Sequence, residues 1–500
     1  MKKVLLSIVL INSIAVSTSA QVKKDIAYYN KMSPFKLPTV PTPVFADKTF
    51  SISDYAAVND GKTLNTRAFA NAIDACNKAG GGRVIVPAGS WLTGPIELKS
   101  NVDLHLEKDA KILFTKDHKQ YPLIKAGGSS SNVVPASPIY AYNAVNIAIT
   151  GEGIIDGAGD SWRPVKKQKQ TPSQWSALVA SGGVVSSDGK VWWPSREAMN
   201  GEAYLQGLKN KSDINDYLPA RDFLRPYMVY LIHCDTILIQ GVTLRNSPKF
   251  IFYPNHCNQL TMNGVSVYND WWAQNGDALD ISACKNVVIY NCNINAGDDG
   301  ICMKSSGSKG PDVFELENIL IAGCTVLRAH GGFVIGSNTD GGMRNIYVTD
   351  CNFIGTDIGI RVKSNPGRGG IVKDIYINNI AMGSIRNEAV LFTTYYEDVP
   401  AGKNAADVKT TANDKIPVFQ DFHLSNIACK GAETAISITG LPNMPVSKIY
   451  FQNIDITADH GFTATDAADI DIRTIRLTTA KPLYMLKHSR NIMVDGKPVE

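Results

Sequence analysis

The stretch Asn275–Lys304, NGDALDISACKNVVIYNCNINAGDDGICMK, holds four aspartates, of which Asp277, Asp298 and Asp299 fall in two short patches. Between the patches, Asn286–Asn295 reads as one turn of a repetitive β structure. If each coil takes twenty-odd residues, the 21 positions from Asp277 to Asp298 set one patch above the other on a single face. Three carboxylates would then crowd one small area.

The same rhythm extends outward from this stretch. Similar openings stand at Asp235 (DTILIQGVTL), Gln259 (QLTMNGVSV), Asn286 (NVVIYNCNI), Asn318 (NILIAGCTV), Asn345 (NIYVTDCNF) and Asp374 (DIYINNIAM), at successive intervals of 24, 27, 32, 27 and 29 positions. Earlier and later copies begin at Asn101, Ala144, Phe422 and Lys448. Such spacing is too short for β-α-β units, and each unit holds strands of four to six residues with Asn, Asp or Gly at the corners. The reading is an all-β fold, a parallel β-helix, taken as right-handed from the general rule for parallel crossovers. Upstream, Asn65 is expected to cap a helix to about Lys78, with Phe69, Ile73 and Cys76 on one face and Gly80-Gly81-Gly82 ending it. An amphipathic helix there suits a lid over the open end of the stack.

One segment interrupts the rhythm. Residues 157–227 are rich in Lys, Ser, Gly and Gln, carry Trp162, Trp175, Trp192 and Trp193, and show no strand pattern. So long an insertion reads as a functional loop or lid, with surface decoration as the plainer alternative. A smaller interruption lies between Asp398 and Pro417. Residues 21–47, with Pro34, Pro38, Pro41 and Pro43, are expected to form an extended lead-in without regular structure, leaving 48–500 as one domain.

The first twenty residues carry Lys2 and Lys3, an apolar run from Val4 to Val16, and STSA ending at Ala20, the pattern of a secretory signal peptide. The run is too short for a membrane span. Loss of the two lysines takes the formal charge from +4 to +2, which gives no case for nucleic acid as a partner. Hydrophobic residues make up 44% of the chain, enough to bury a core. Nine cysteines are an odd number, and Cys292, Cys324, Cys351 and Cys429 each sit about six residues into a repeat, so they read as stacked free thiols rather than disulfides.

Like charges a few ångströms apart push at least one pKa upward. One carboxyl kept as an acid beside others kept as bases is what glycoside hydrolysis needs. Asp and Asn also populate the turns of any β-helix, so a single Asp would favour structure; an Asp-Asp pair stacked on a third Asp favours function. Neighbours in an ideal strand face opposite ways, so Asp298 and Asp299 share a site only if the backbone bends, and Gly297 and Gly300 flank them. His330 lies one coil beyond Asp299, and Arg361 and Lys363 fall one further coil along on one strand face. Two cations there are either salt-bridge partners of the acids or receptors for a substrate carboxylate. Asp280 reads as a corner hydrogen-bonder, and Trp271 and Trp272 as either core or sugar platform. No Cys/His spacing matches a metal site, so neither a metal nor another cofactor is expected.

From about residue 49 to 460 the sequence resembles the polygalacturonase family of glycoside hydrolases, which act on pectin. Asn275-Gly276-Asp277 stands where the family has Asn-Thr-Asp, Gly297-Asp298-Asp299 matches Gly-Asp-Asp, Ala329-His330-Gly331 matches Gly-His-Gly, and Arg361-Val362-Lys363 matches Arg-Ile-Lys. By that resemblance Asp298 is the general acid, Asp277 and Asp299 hold and deprotonate the attacking water with inversion, and His330 supports them. Arg361 and Lys363 would hold a galacturonate carboxylate. Tyr396, with Tyr395 as its rival, matches the family's sugar-site tyrosine, and Asn275 and Lys304 are further candidate contacts.

The resemblance implies a hydrolase of α-linked galacturonic acid in acidic pectic polymers or oligosaccharides; the signal peptide places it in the periplasm or outside the cell, and a monomer is expected. The long insertion is expected to block one end of the cleft and so confine action to chain ends. Alternatives are hydrolysis of rhamnogalacturonan linkages, a pectate-lyase-like activity, and a non-catalytic glycan-binding β-helix.

Overall fold

The computed structural model describes residues 24–126, 133–209, 213–307, 310, 313–395 and 415–499. The expected signal peptide and Tyr396 lie outside them. The chain divides into two compact units, Met1–Lys36 and Leu37–Glu500. The first unit corrects one expectation: it carries a helix, Ile26–Met32, whose N-cap Asp25 accepts a hydrogen bond from the Tyr28 N–H at 3.0 Å. A capping carboxylate and a proline-free run suffice for two turns. Only from Ser33 to Asp47, where the prolines begin, is there no helix or strand.

In the second unit each coil contributes short parallel strands. Leu279–Ser282, Lys285–Tyr290 and Asn293–Asn295 are followed one rung on by Ile301–Lys304, Leu316–Ala322 and Thr325–Leu327, with Leu279, Val287 and Ile294 opposite Ile301, Ile319 and Val326. Among the described residues the strands gather into a 24-stranded sheet that wraps the coil and a 12-stranded sheet along one side. Inward positions stack into columns: Val287, Ile319, Ile346 and Ile375 follow one another in register and are fully buried. Each such side chain contributes about 1.5–3 kcal/mol of hydrophobic free energy.

The corners explain the asparagines of the repeat openings. Asn286, Asn318 and Asn345 adopt left-handed backbone with φ of 57°, 61° and 55°, which Asn tolerates better than most residues. Their side-chain amides form a ladder, Asn286 donating to Asn258 at 2.8 Å, Asn318 to Asn286 at 3.0 Å and Asn345 to Asn318 at 3.1 Å. All nine cysteines are free and buried. Cys429 leaves the expected column, because Cys351 faces Ile380 while Cys429 faces Met382 and Ile456.

The capping helix spans Thr66–Lys78 and buries Phe69, Ile73 and Cys76 in the end of the core. Asn65 stands at its N-cap but makes no side-chain cap. Its amide instead binds the Val58, Thr63 and Leu92 carbonyls, tying the helix to the first coils.

The insertion is more ordered than its sequence suggests. It holds a three-stranded antiparallel sheet, Val165–Lys166, Val191–Trp193 and Val184–Val185, and helices Pro172–Ala180, Arg196–Gly207 and Arg221–Leu224. Strands of two or three residues are too short to show alternation, so they leave no pattern in the sequence. Trp162 is fully buried and stacks on His118 with ring centroids 3.5 Å apart. Trp192 is buried and donates to the Gly182 carbonyl at 2.7 Å.

Candidate active site

The 12-stranded sheet positions the chemistry. Its strands Leu279–Ser282, Ile301–Lys304, Gly331–Ile335 and Ile358–Lys363 lie side by side, with Leu279, Ile301, Phe333 and Ile360 in one register row. Two positions before that row stand Asp277 and Asp299, so Asp277 stacks over Asp299 rather than over Asp298. The coil is thus one position longer than the sequence spacing suggests, and the Ala278 N–H donates to the Asp299 carbonyl. Asp298 pairs instead with His330, whose N–H donates to its carbonyl at 2.7 Å.

The three carboxylates do converge. One oxygen from each of Asp277, Asp298 and Asp299 lies within 4.8 Å of the others. The chain bends at Gly297 and Asp298 and again at Gly300, which brings both aspartates to one side. The glycines serve by leaving room: a Cβ on Gly297 would stand 2.5 Å from the Ala273 carbonyl, and one on Gly300 2.7 Å from Val326. Gly276, which stands where the family has Thr, is required here because a Cβ would meet Ala273 at 2.7 Å. On the next rung, Gly331 leaves room for Val334, whose Cγ2 a Cβ would meet at 2.4 Å.

The three acids have unlike surroundings. Asp277 is buried, Asp299 is buried, and the Asp298 side chain is 20% exposed. Burial first, and then the Asp280 and Asp298 charges, hold the Asp277 carboxyl well above the usual range, and its Oδ1 has no hydrogen-bond partner among the described residues. Burial would raise Asp299 too, but Lys363, Arg361 and Lys304 outweigh it and carry the carboxyl below the ordinary range. Lys363 donates to Asp299 at 2.7 Å and Arg361 at 3.3 Å. The candidate cations are therefore salt-bridged to the acid cluster in the free protein.

Lys304 and Asp280 form a buried ion pair, with Asp277 3.7 Å from the same ammonium. Burial would lower Lys304, yet Asp280, Cys302 and Asp277 hold it well above the usual lysine value. Asp280 thus sits on a strand, fully buried, as counter-ion to Lys304, not at a corner. Asn275 accepts from Arg225 at 2.8 Å. His330 places Nδ1 3.0 Å from Asp298 and Nε2 3.3 Å from the Lys169 ammonium. Three carboxylates this close are also a donor set for a hard divalent cation, although Lys304, Arg361 and Lys363 already supply positive charge there.

Beside His330 opens a cleft of about 780 Å³ lined by Lys166, Lys169, Trp271, Arg328, His330 and Arg386, among others. Trp271 is 41% exposed and belongs to the cleft wall, whereas Trp272 is half-buried. Sequence reading missed Lys169, Arg225 and Lys249. Lys169 comes from the KKQKQ run of the insertion and also binds the Trp271 and Gly297 carbonyls, at 3.1 and 3.2 Å. That polar run was its only signal. Lys249 breaks an otherwise apolar strand approach, SPKFIF, which was the mark it left.

A parallel β-helix presenting clustered aspartates, a histidine and two cations on one sheet is the architecture of a glycoside hydrolase acting on an acidic chain. Residues 171–472 match the family model described as glycosyl hydrolases family 28. The chain belongs to that family and is a glycoside hydrolase. It is 29% identical over 473 residues to an exo-poly-alpha-D-galacturonosidase from Dickeya chrysanthemi, covering 90% of this chain and 75% of that one. Two solved structures share the fold. An exopolygalacturonase from Thermotoga maritima matches with TM-score 0.66 and 24% identity over 91% of this chain and 94% of that one. A family 28 exopolygalacturonase from Yersinia enterocolitica matches with TM-score 0.70 and 24% identity over 91% and 79%. The fold is the right-handed parallel β-helix expected from the sequence.

Proposed function

We propose that the protein hydrolyses α-linked galacturonic acid from the ends of pectic galacturonan. The observation that carries this reading is the convergence of Asp277, Asp298 and Asp299 with Arg361 and Lys363 at their edge. Asp298, the most exposed member, delivers a proton to the leaving oxygen, with His330 fixing its carboxyl. Asp299, kept ionised by its cations, and Asp277 hold the water. Burial and the Asp280 and Asp298 charges favour the protonated form of Asp277, which leaves Asp299 the carboxylate better suited to take the water's proton. One oxygen from each acid lies within 4.8 Å of the others, close enough for one water to be held between Asp277 and Asp299. Proton NMR of the first anomer released tests the expected inversion.

Action at chain ends is supported by what covers the sheet on the N-terminal side of the trio. A hairpin, Leu123–Lys125 with Val133–Pro135, packs there over Tyr142, Tyr227, Tyr230 and Tyr253, and Ile214–Leu224 of the insertion packs on the hairpin. A wall at that end favours removal of terminal sugars over cutting inside a polymer. Sized products from polygalacturonate and rhamnogalacturonan incubated side by side decide the matter: monomer from the first is expected, and an early ladder of oligomers overturns exo action.

The protein is exported under the direction of residues 1–20, which gives Gln21 as the mature N-terminus by mass spectrometry. No described helix is long and apolar enough to cross a membrane. The enzyme is taken to act as a monomer on its polysaccharide, which sedimentation checks.

A further inference from the structure

Most cations around the acid trio are engaged by an acid. Lys304 is held by Asp280, and Lys363 and Arg361 by Asp299. Two others, on the opposite side of the trio, have no acid partner among the described residues. Arg225 donates to neutral oxygens alone: the Gln274 carbonyl at 2.9 Å, the Pro248 carbonyl at 3.4 Å and the Asn275 side chain at 2.8 Å. The Lys249 ammonium makes no hydrogen bond or ion pair there and lies over two rings, 4.9 Å from the centre of Tyr227 and 5.6 Å from that of Phe250.

Their position bears directly on the reaction. The Ile251 N–H donates to the Asp277 carbonyl at 2.9 Å and Phe252 pairs with Leu279, so Phe250 stands one rung before Asp277, the first catalytic candidate, and Lys249 is its neighbour in the chain. Phe250 also lies under Lys304, 5.3 Å away, which links Lys249 through one ring to the ammonium that pairs with Asp280. Beyond Lys249 rise Tyr227, Tyr230 and Tyr253 of the closing wall. Both cations remain partly exposed, so an entering ligand reaches them.

Two largely desolvated cations that feel the Asp277 charge, and for Lys249 the Asp280 charge, but form an ion pair with neither are an unfavourable arrangement for a folded protein alone. Burial and the Arg225 charge hold the Lys249 ammonium down to about 8, and burial with Arg163 holds Arg225 down to about 10. An anion arriving from outside would relieve both. Cation-π contacts with Tyr227 and Phe250 explain how Lys249 is oriented, not why a second cation stands beside it.

We propose that Lys249 and Arg225 bind the carboxylate of the terminal sugar at the walled end of the cleft, so that this enzyme demands a free uronate on that side of the scissile bond. The inference rests on the reading of the site as a galacturonan hydrolase. With Arg361 and Lys363 on the other side, acid recognition brackets the cleaved linkage. Adjacent uronates are then required, which selects homogalacturonan over a backbone alternating with neutral sugar and over a methyl-esterified terminus.

The test compares kcat/KM for trigalacturonate with that for the same trimer methyl-esterified at the terminal residue that enters the walled end. In the unaltered enzyme the free acid is expected to be preferred at least tenfold. Lys249→Met should raise KM for the free acid more than it lowers kcat and bring the preference towards one, while Lys249→Arg retains it. Lys249→Gln, which keeps a polar stem without charge, serves in parallel if the Met variant fails to fold. A folded, active Lys249→Met or Lys249→Gln enzyme with an undiminished preference overturns this proposal and leaves the hydrolase reading standing. An unaltered enzyme inactive on trigalacturonate overturns both.

Discussion

His330 and Asp298 are joined twice across adjacent rungs, by the His330 N–H on the Asp298 carbonyl at 2.7 Å and by Nδ1 3.0 Å from Oδ1. The backbone bond sets the position and the ring sets the carboxyl's orientation. His330→Ala is expected to lower kcat on polygalacturonate by about 10²-fold with KM little changed. Loss in KM alone would assign the ring to sugar binding instead.

Asp298→Asn keeps the shape of the site and removes the transferable proton. Activity should fall by about 10³-fold or more, while binding of an oligogalacturonate, measured by calorimetry, persists. Unchanged activity would make the protein's chemistry independent of the trio.

Asp277 is a cost to the fold. Its carboxyl is raised well above the unfolded value, so from about pH 4 upward the unfolded chain releases a proton that the folded chain retains, and stability declines as pH rises towards the folded pKa. Asp277→Asn should therefore raise stability at neutral pH, by about 0.5–2 kcal/mol, while abolishing turnover. Thermal melts at pH 4 and pH 7 check the sign, since the gain should shrink at the lower pH.

Asp299 behaves oppositely. Its depressed carboxyl contributes stability that is present above the unfolded pKa of about 3.9 and lost as pH falls through the folded value. Lys363→Met would leave that buried charge with Arg361 as its remaining ion-pair partner among the described residues and should cost about 3–5 kcal/mol in denaturant unfolding at pH 7.

Trp271 forms part of the cleft wall and Lys169 lies over its ring at 5.7 Å. Trp271→Ala should raise KM for long galacturonan several-fold and leave a dimer unaffected, which rate measurements on a length series would show.

The repeat was legible because corners and core repeat in the sequence: Asn286, Asn318 and Asn345 marked left-handed turns, and apolar residues marked the columns between them. The convergence of the three acids was legible for the same reason. The register was not, since whether Asp298 or Asp299 lies opposite Asp277 is decided by hydrogen bonds at a bend. The helix Ile26–Met32 hid before a proline run, and the insertion's strands were too brief to alternate. Lys169, Arg225 and Lys249 escaped because residues distant along the chain assemble around them. A lone cation has no period.

Leu279, Ile301, Phe333 and Ile360 remain aligned although the lengths of chain between them are unequal. The ladder works as a ruler whose marks do not move when slack is let out at the rims. Excursions such as 157–227 can thus be lengthened, trimmed or exchanged to reshape what is admitted, with the proton-handling groups left at their original pitch.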